Sequence, residues 1–217
     1  MVLKWIFDRV VALVGLLFLW PVLVVVAIMV KVKMPGGPAF FMQKRVGKDG
    51  KLFNCHKFRT MTVKHNGSTV SVAGDSRITP FGAVLRHYKL DELLGLWDVL
   101  IGNMSFVGTR PDVPGYADKL VGDDRDVLKL RPGITGPATL KYRPEDEMIS
   151  EYVAKKQAEG DSRSMQEIAT EYNDTVIYPD KVRLNCYYYR HYSFIKDIKM
   201  IFATVLHFKV KFAGEEV

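Results

Sequence analysis

The chain's patterning predicts an α+β fold, mainly helical, with an N-terminal membrane helix, a β-hairpin and amphipathic interfacial helices around a small domain. Three observations carry this. Val10 to Val30 contains no charged residue. AFFMQKRV and KLFNCHKFRTM flank GKDG, which reads as two strands and a turn. Downstream, apolar residues recur at helical spacing in several segments. At 217 residues, 48% hydrophobic and 25% charged, most of the chain is neither disordered nor wholly embedded in lipid.

Residues 1–34 form the anchor and 35–217 the domain. The uncharged run would make a helix of roughly 30 Å, enough to cross a bilayer. KVKMPGGP follows it instead of the small-residue cleavage site of a secretory signal. Pro21 stands near its middle, where proline removes a backbone donor and kinks a helix. Lys4 and Arg9 precede the run, and Lys31 and Lys33 follow it. Positive charge on both sides fits both ends staying in the cytoplasm. The residues alone leave a re-entrant hairpin helix and a straight span both open.

MPGGP at Met34–Pro38 is a turn that ends the anchor. On the second strand Lys57 and Arg59 are two residues apart and so share a face, either as ligands or as solvated edge charges. His65 to Ser76 reads as a loop. Thr79 and Pro80 then suit the start of a helix, with Phe81, Val84, Leu85 and Tyr88 as its apolar stripe. Leu90–Ile101 reads as a second amphipathic helix, with Leu90, Leu93, Leu94, Trp97 and Ile101 on one face and Gly102 ending it. MSFVGTRP and LRPGITGP read as Gly/Pro loops that place Arg110 and Arg131 at turns. The acid-rich residues 145–180 look like an insertion or flap, with short helices around Met148–Ala158 and Met165–Tyr172. In 193–212, Phe194, Ile198, Ile201, Val205, Phe208 and Phe212 recur at helical spacing. That pattern suits a helix in a membrane interface or one packed on the core.

Lysine and arginine outnumber acids 31 to 24, giving +7, which favours anionic partners. Cys55 and Cys186 form no CxxC, and the five histidines show no metal-ligand spacing; they read as surface or core residues. Against this basic background, YKLDELLGLW places Asp91 and Glu92 side by side. Acids favour the first turn of a helix, so helix chemistry alone would account for the pair.

Taken together and in order, FDRVVALVGLLFLWPVLVVVAI, GGPAFFMQKRVGKDGKLFNCHKFRTM, DSRITPFGAVLRHYKLDELLGLWDVLIGNMSFVGTRP, LRPGITG and YYYRHYSFIKDIKMI resemble the bacterial sugar transferase family, in its small monotopic polyprenyl-phosphate phosphoglycosyl transferase form. Five pieces in register make the resemblance specific. The sequence departs from the family at several points: Trp20 stands where a serine is usual before the proline, DELLG and DVL replace DELPQ and NVL, TRP replaces PRP, and GPAT replaces GWAQ.

The resemblance implies a re-entrant helix broken at Pro21 and a catalytic domain on the cytoplasmic face of a bacterial inner membrane. It implies transfer of sugar 1-phosphate from a UDP-sugar to polyprenyl (undecaprenyl) phosphate, with UMP as the other product, as the first membrane step of capsule, O-antigen or glycoconjugate synthesis. Asp91 would be the nucleophile and Glu92 the ligand of Mg²⁺, a hard ion suited to carboxylate and phosphate. Lys57, Arg59, Arg86, Arg110 and Arg131 are candidate diphosphate ligands. A helix start at Asp91, with Arg86 nearby, would keep its carboxylate ionised. Expected partners are the two substrates, inner-membrane lipid and downstream glycosyltransferases, with no nucleic acid. Two alternatives differ in class: a membrane-anchored UDP-sugar diphosphate hydrolase and a non-enzymatic module binding anionic lipid.

Overall fold

The computed structural model describes residues 1–63 and 77–217. The loop predicted at His65–Ser76 lies outside the described residues. Helix α1 runs Val2–Lys33, longer than the uncharged run, with Pro21 inside it. It can start this early because its first charges turn inward. Lys4 and Asp8 are buried, and Lys4 Nζ meets Asp197 at 2.6 Å. The helix continues through Pro21 without an intervening loop. One face of α1 lies along the domain for its whole length. Ala12 packs with Cys55, Val99 and Met104. Farther along, Val26, Val30 and Met34 pack with Phe58 and Leu85. The other face leaves Leu17, Phe18, Trp20, Val25 and Ile28 exposed.

Strands β1 (Phe40–Val46) and β2 (Leu52–Phe58) form the predicted antiparallel hairpin, Phe40 opposite Phe58 and Val46 opposite Leu52. Helix α2 (Pro80–His87) starts as predicted: the Thr79 hydroxyl accepts the Gly82 N–H, and Pro80 opens the first turn. Gly82 is required because a Cβ there would fall 1.9 Å from the Thr60 carbonyl oxygen. That close approach seats α2 on the strand end carrying Lys57.

The predicted Leu90–Ile101 helix is divided. Lys89 takes a left-handed conformation (φ 54°), Leu90–Glu92 form a single 3₁₀ turn, and α3 covers only Gly95–Ile101. Gly102 ends it with φ 92°, as predicted. The predicted stripe is divided too. Leu90 and Leu94 pack inward, whereas Trp97 and Ile101 are exposed. The buried side of α3 is Gly95, Asp98 and Val99, because that side faces β2 and α1.

The two Gly/Pro loops contain strands: β3 (Ser105–Val107) pairs in parallel with β4 (Gly133–Thr135). Helix α4 (Pro137–Lys141) follows. Helices α5 (Glu145–Ala158) and α6 (Met165–Tyr172) match the predicted pair. They share a small core of Val153, Ile168 and Ala169, and Ser164 and Glu167 form a capping box for α6. Helix α7 (Tyr178–Arg190) crosses the main core, where Tyr188 and Leu184 meet Met200 and Phe212. Helix α8 is Phe194–Leu206, shorter than the predicted 193–212. His207, left-handed at φ 58°, ends it, and a hairpin of β5 (Lys211–Phe212) and β6 (Glu215–Glu216) follows. One face of α8 packs on the core, as one of the two readings has it. Asp197, Met200 and Ala203 are buried, while Ile195, Phe202, Val205 and Leu206 stay exposed.

Candidate active site

The reversal at Lys89 sets Asp91 and Glu92 in different surroundings. Leu90 and Leu94 pin the turn to the cluster around Phe58 and Leu85. Asp91 is 7% exposed. Burial, the charge of Glu92 and the lesser opposing effects of Lys57 and Arg86 leave its carboxyl pKa above the usual aspartate value. The shift runs opposite to the one expected from a helix start with Arg86 nearby: the turn is a 3₁₀ turn, and desolvation outweighs the nearby cations.

Glu92 behaves in the opposite way. Its Oε1 accepts from Lys57 Nζ at 2.7 Å and from Arg110 Nη2 at 2.8 Å. Against the opposing effect of burial, Arg110 and Lys57 hold its carboxyl far below the usual range. Two adjacent acids thus have opposite tendencies, one pushed toward holding its proton and one firmly ionised.

The five cations predicted at the site divide by position. Lys57 and Arg110 meet at Glu92. Arg86 lies close enough to Asp91 to influence its carboxyl, with its Nε donating to Thr60 Oγ1 at 3.1 Å. Arg59 is buried and donates to the Met34 carbonyl at the end of the anchor. Arg131 donates from Nε to the Gly102 carbonyl at 2.8 Å, at the far end of α3 from Glu92. The structure therefore brings three of the five to the acid pair.

The cleft beside Glu92 is also lined by Arg45, His56, Met104 and Pro111. Sequence reasoning missed Arg45 and His56. Arg45 Nη1 donates to the Pro111 carbonyl at 3.0 Å, fixing the Arg110 loop against the hairpin. His56 Nδ1 lies 2.8 Å from Asp98 Oδ1, and its backbone N–H reaches Asp98 Oδ2 at 2.9 Å. The usable signal was Asp98 itself, an acid where the resembling family has asparagine. Next to the cleft, burial pushes Asp112 up to about 6 against the influence of Lys181, and Tyr178 donates to it at 3.3 Å.

Among the described residues no group of three or more His, Cys, Asp or Glu side chains forms a metal cage. Mg²⁺ does not require one: it keeps waters and binds through one or two carboxylates plus substrate phosphates. Glu92 is a single such carboxylate: Lys57 and Arg110 both contact its Oε1, which leaves Oε2 as the oxygen for an ion that substrate phosphates help to hold.

A family model described as bacterial sugar transferase matches residues 1–211. The exopolysaccharide production protein PSS of Rhizobium leguminosarum bv. phaseoli is 33% identical over 217 residues, covering 95% of this chain and 94% of that protein. A UDP-glucose:undecaprenyl-phosphate glucose-1-phosphate transferase of Xanthomonas campestris pv. campestris is 41% identical over 135 residues, 59% of this chain and 28% of that protein. Its Escherichia coli (strain K12) namesake is 35% identical over 204 residues, 91% of this chain and 38% of that protein. The chain thus spans well under half the length of these two transferases and nearly all of the Rhizobium protein. With the family match running through the anchor, the acid pair and the C-terminal helices, the chain belongs to the bacterial sugar transferase family.

Proposed function

We propose that the chain transfers sugar 1-phosphate from a UDP-sugar to polyprenyl phosphate, through an aspartyl phospho-sugar, and releases UMP. The observation that carries the reading is the acid pair: Asp91 buried, and Glu92 held between Lys57 and Arg110. Direct attack of one phosphate on another must overcome charge repulsion, and a covalent intermediate divides the transfer into two displacements. In the first, Asp91 attacks the sugar-bearing phosphorus and the bond to UMP breaks. In the second, polyprenyl phosphate attacks that phosphorus and Asp91 is restored. A partly desolvated carboxylate is the more nucleophilic for its burial, while Lys57, Arg86 and Arg110 supply positive charge where phosphate oxygens gather. Mg²⁺, held by Glu92 with Asp91 adjacent, would add charge neutralisation between the phosphates.

The anchor is read as re-entrant, with the domain on the cytoplasmic face. Support comes from both ends of α1 packing on the same domain, Lys4 at Asp197 and Val30 at Leu85. A helix crossing the bilayer would have to give up one of these contacts. The exposed apolar residues of α1, α3 and α8 supply a surface for lipid. The reading of substrate class draws support from relatives named for glucose-1-phosphate and N-acetylgalactosamine-phosphate transfer, and that of a role in polysaccharide assembly from one named for exopolysaccharide production.

The test is UMP release by the purified chain with polyprenyl phosphate and a panel of UDP-glucose, UDP-galactose and UDP-N-acetylgalactosamine. Release that requires the acceptor supports the transferase. Continuous release without acceptor would make it a hydrolase, and no release from any donor would refute both.

A further inference from the structure

His56 and Asp98 form a second polar pair in the same cleft, one that neither displacement above uses. Asp98 is fully buried on α3; its Oδ2 accepts the His56 backbone N–H, and its Oδ1 lies within hydrogen-bond distance of His56 Nδ1. A carboxylate so enclosed is retained only with a partner of complementary charge or hydrogen bonding. That contact fixes Nδ1 and the ring plane. The side chain is 26% exposed, the residue lines the cleft with Lys57, Glu92 and Arg110, and with Nδ1 engaged the remaining ring nitrogen is Nε2. An imidazole whose Nδ1 is held by a buried aspartate is oriented to exchange protons at Nε2. The charged groups facing it are Asp98 behind and Arg45, Lys57, Glu92 and Arg110 in the cleft.

We propose that His56 is the proton shuttle of the two displacements and that Asp98 is its positioning residue. This assignment rests on the transferase reading. In the first displacement an Asp91 oxygen bonds to the sugar-bearing phosphorus. The bond from that phosphorus to the bridging oxygen breaks, and its electron pair stays on the oxygen that leaves with UMP. The imidazolium of His56 gives that oxygen its proton. In the second, singly protonated polyprenyl phosphate gives its proton to Nε2 as its oxygen bonds to phosphorus, and Asp91 departs as carboxylate with the electron pair of the broken bond. One proton enters with the acceptor and one leaves with UMP, so the cycle balances.

The experiment measures the two half-reactions separately on the full chain in lipid nanodiscs. Intact mass follows adduct formation with whichever of the three UDP-sugars the wild type uses, and discharge is started by adding polyprenyl phosphate. His56→Ala should slow both steps by roughly a hundredfold or more, the range of general acid–base catalysis, and added imidazole should restore part of both. Asp98→Asn should slow both steps with His56 still present, and imidazole should not help because the ring is there but misdirected. If His56→Ala fails to fold, His56→Gln, which keeps a hydrogen-bonding amide but cannot carry a proton, decides in its place and should be as slow. Rates within threefold of wild type in either folded His56 variant overturn the shuttle. So does a loss in folded His56→Ala that imidazole leaves unchanged. A wild type that forms adduct and releases UMP while these variants match it removes only the role of His56. A wild type that releases no UMP removes the transferase reading and the shuttle with it.

Discussion

Lys4→Met would remove one member of a buried ion pair that ties the anchor to the domain. Lys4 is 7% and Asp197 2% exposed, and their charged atoms are 2.6 Å apart. Tyr188, fully buried, donates to the other carboxylate oxygen. Removing the lysine leaves Asp197 enclosed with the hydroxyls of Tyr188 and Tyr192 and a neighbouring acid, Asp8. Breaking such a pair costs about 3–5 kcal/mol, mostly because the remaining charge is uncompensated. For a chain of this size the lower figure is a drop in melting temperature of about 6–12 °C. The pH dependence has a definite sign. Asp197 already sits above the usual aspartate range because it is buried, with Lys4 opposing that rise. Without Lys4 its folded pKa rises further, so the variant's deficit is greatest at neutral pH and shrinks as acid protonates Asp197. The assay is thermal unfolding in detergent micelles of wild type, Lys4→Met, Asp197→Asn and the double variant. The double variant should be more stable than Lys4→Met alone. A loss below about 1 kcal/mol in the lysine variant, or a double variant no better than it, would refute the docking of α1 on α8.

Arg110→Ala should reduce turnover with varied UDP-sugar about ten- to a hundredfold while membrane association stays unchanged, since one contact is charge-assisted and the other apolar; kinetics within twofold of wild type would remove Arg110 from the site. Glu92→Gln should narrow its stability difference from wild type as pH falls. Glu92 has a depressed folded pKa, so its stabilisation is present above the ordinary value of 4.5 and is lost as pH drops toward the folded one; a difference in melting temperature that stays constant from pH 6 to pH 3 would contradict this. Pro21→Leu should shift part of the population to a spanning helix, because it restores a backbone donor and removes a clash worth about 3 kcal/mol. A cysteine at Val2, with Cys55 and Cys186 replaced, should be protected from an impermeant thiol reagent on intact wild-type cells and partly labelled in the proline variant. Full labelling in the parent would make the anchor a simple span.

Local signals in the sequence located local structure well. GKDG between apolar runs gave the hairpin, and Thr79–Pro80 gave the start of α2, because turn and cap chemistry are decided within a few residues. What failed depended on distant contacts or unmarked backbone turns. Lys89 and His207 adopt left-handed conformations without being glycine, so the helix predicted from Leu90 begins as a 3₁₀ turn and the helix predicted over 193–212 ends at Leu206. Strands β3 and β4 are three residues each and pair across 25 intervening residues (108–132); no local pattern marks them. Strand alternation put Arg59 on the face of Lys57, but β2 ends at Phe58, and Arg59 turns to Met34. The acid pair was conspicuous in the sequence, and the opposite pKa tendencies were not. Those depend on Arg110, 18 residues from Glu92, closing over one acid and not the other. His56 and Asp98 are 42 residues apart, and only the fold brings them together.

The central claim is that Asp91 carries the phospho-sugar. Its most direct test is intact-mass measurement of the protein mixed with a UDP-sugar in the absence of polyprenyl phosphate, followed by peptide mapping after acid quench. The account predicts one added sugar phosphate per chain on the peptide containing Asp91, one UMP released for each adduct, and loss of the adduct when polyprenyl phosphate is added. Asp91→Asn should form no adduct and release no UMP. Turnover that persists in Asp91→Asn, or an adduct mapped to another residue, would contradict it.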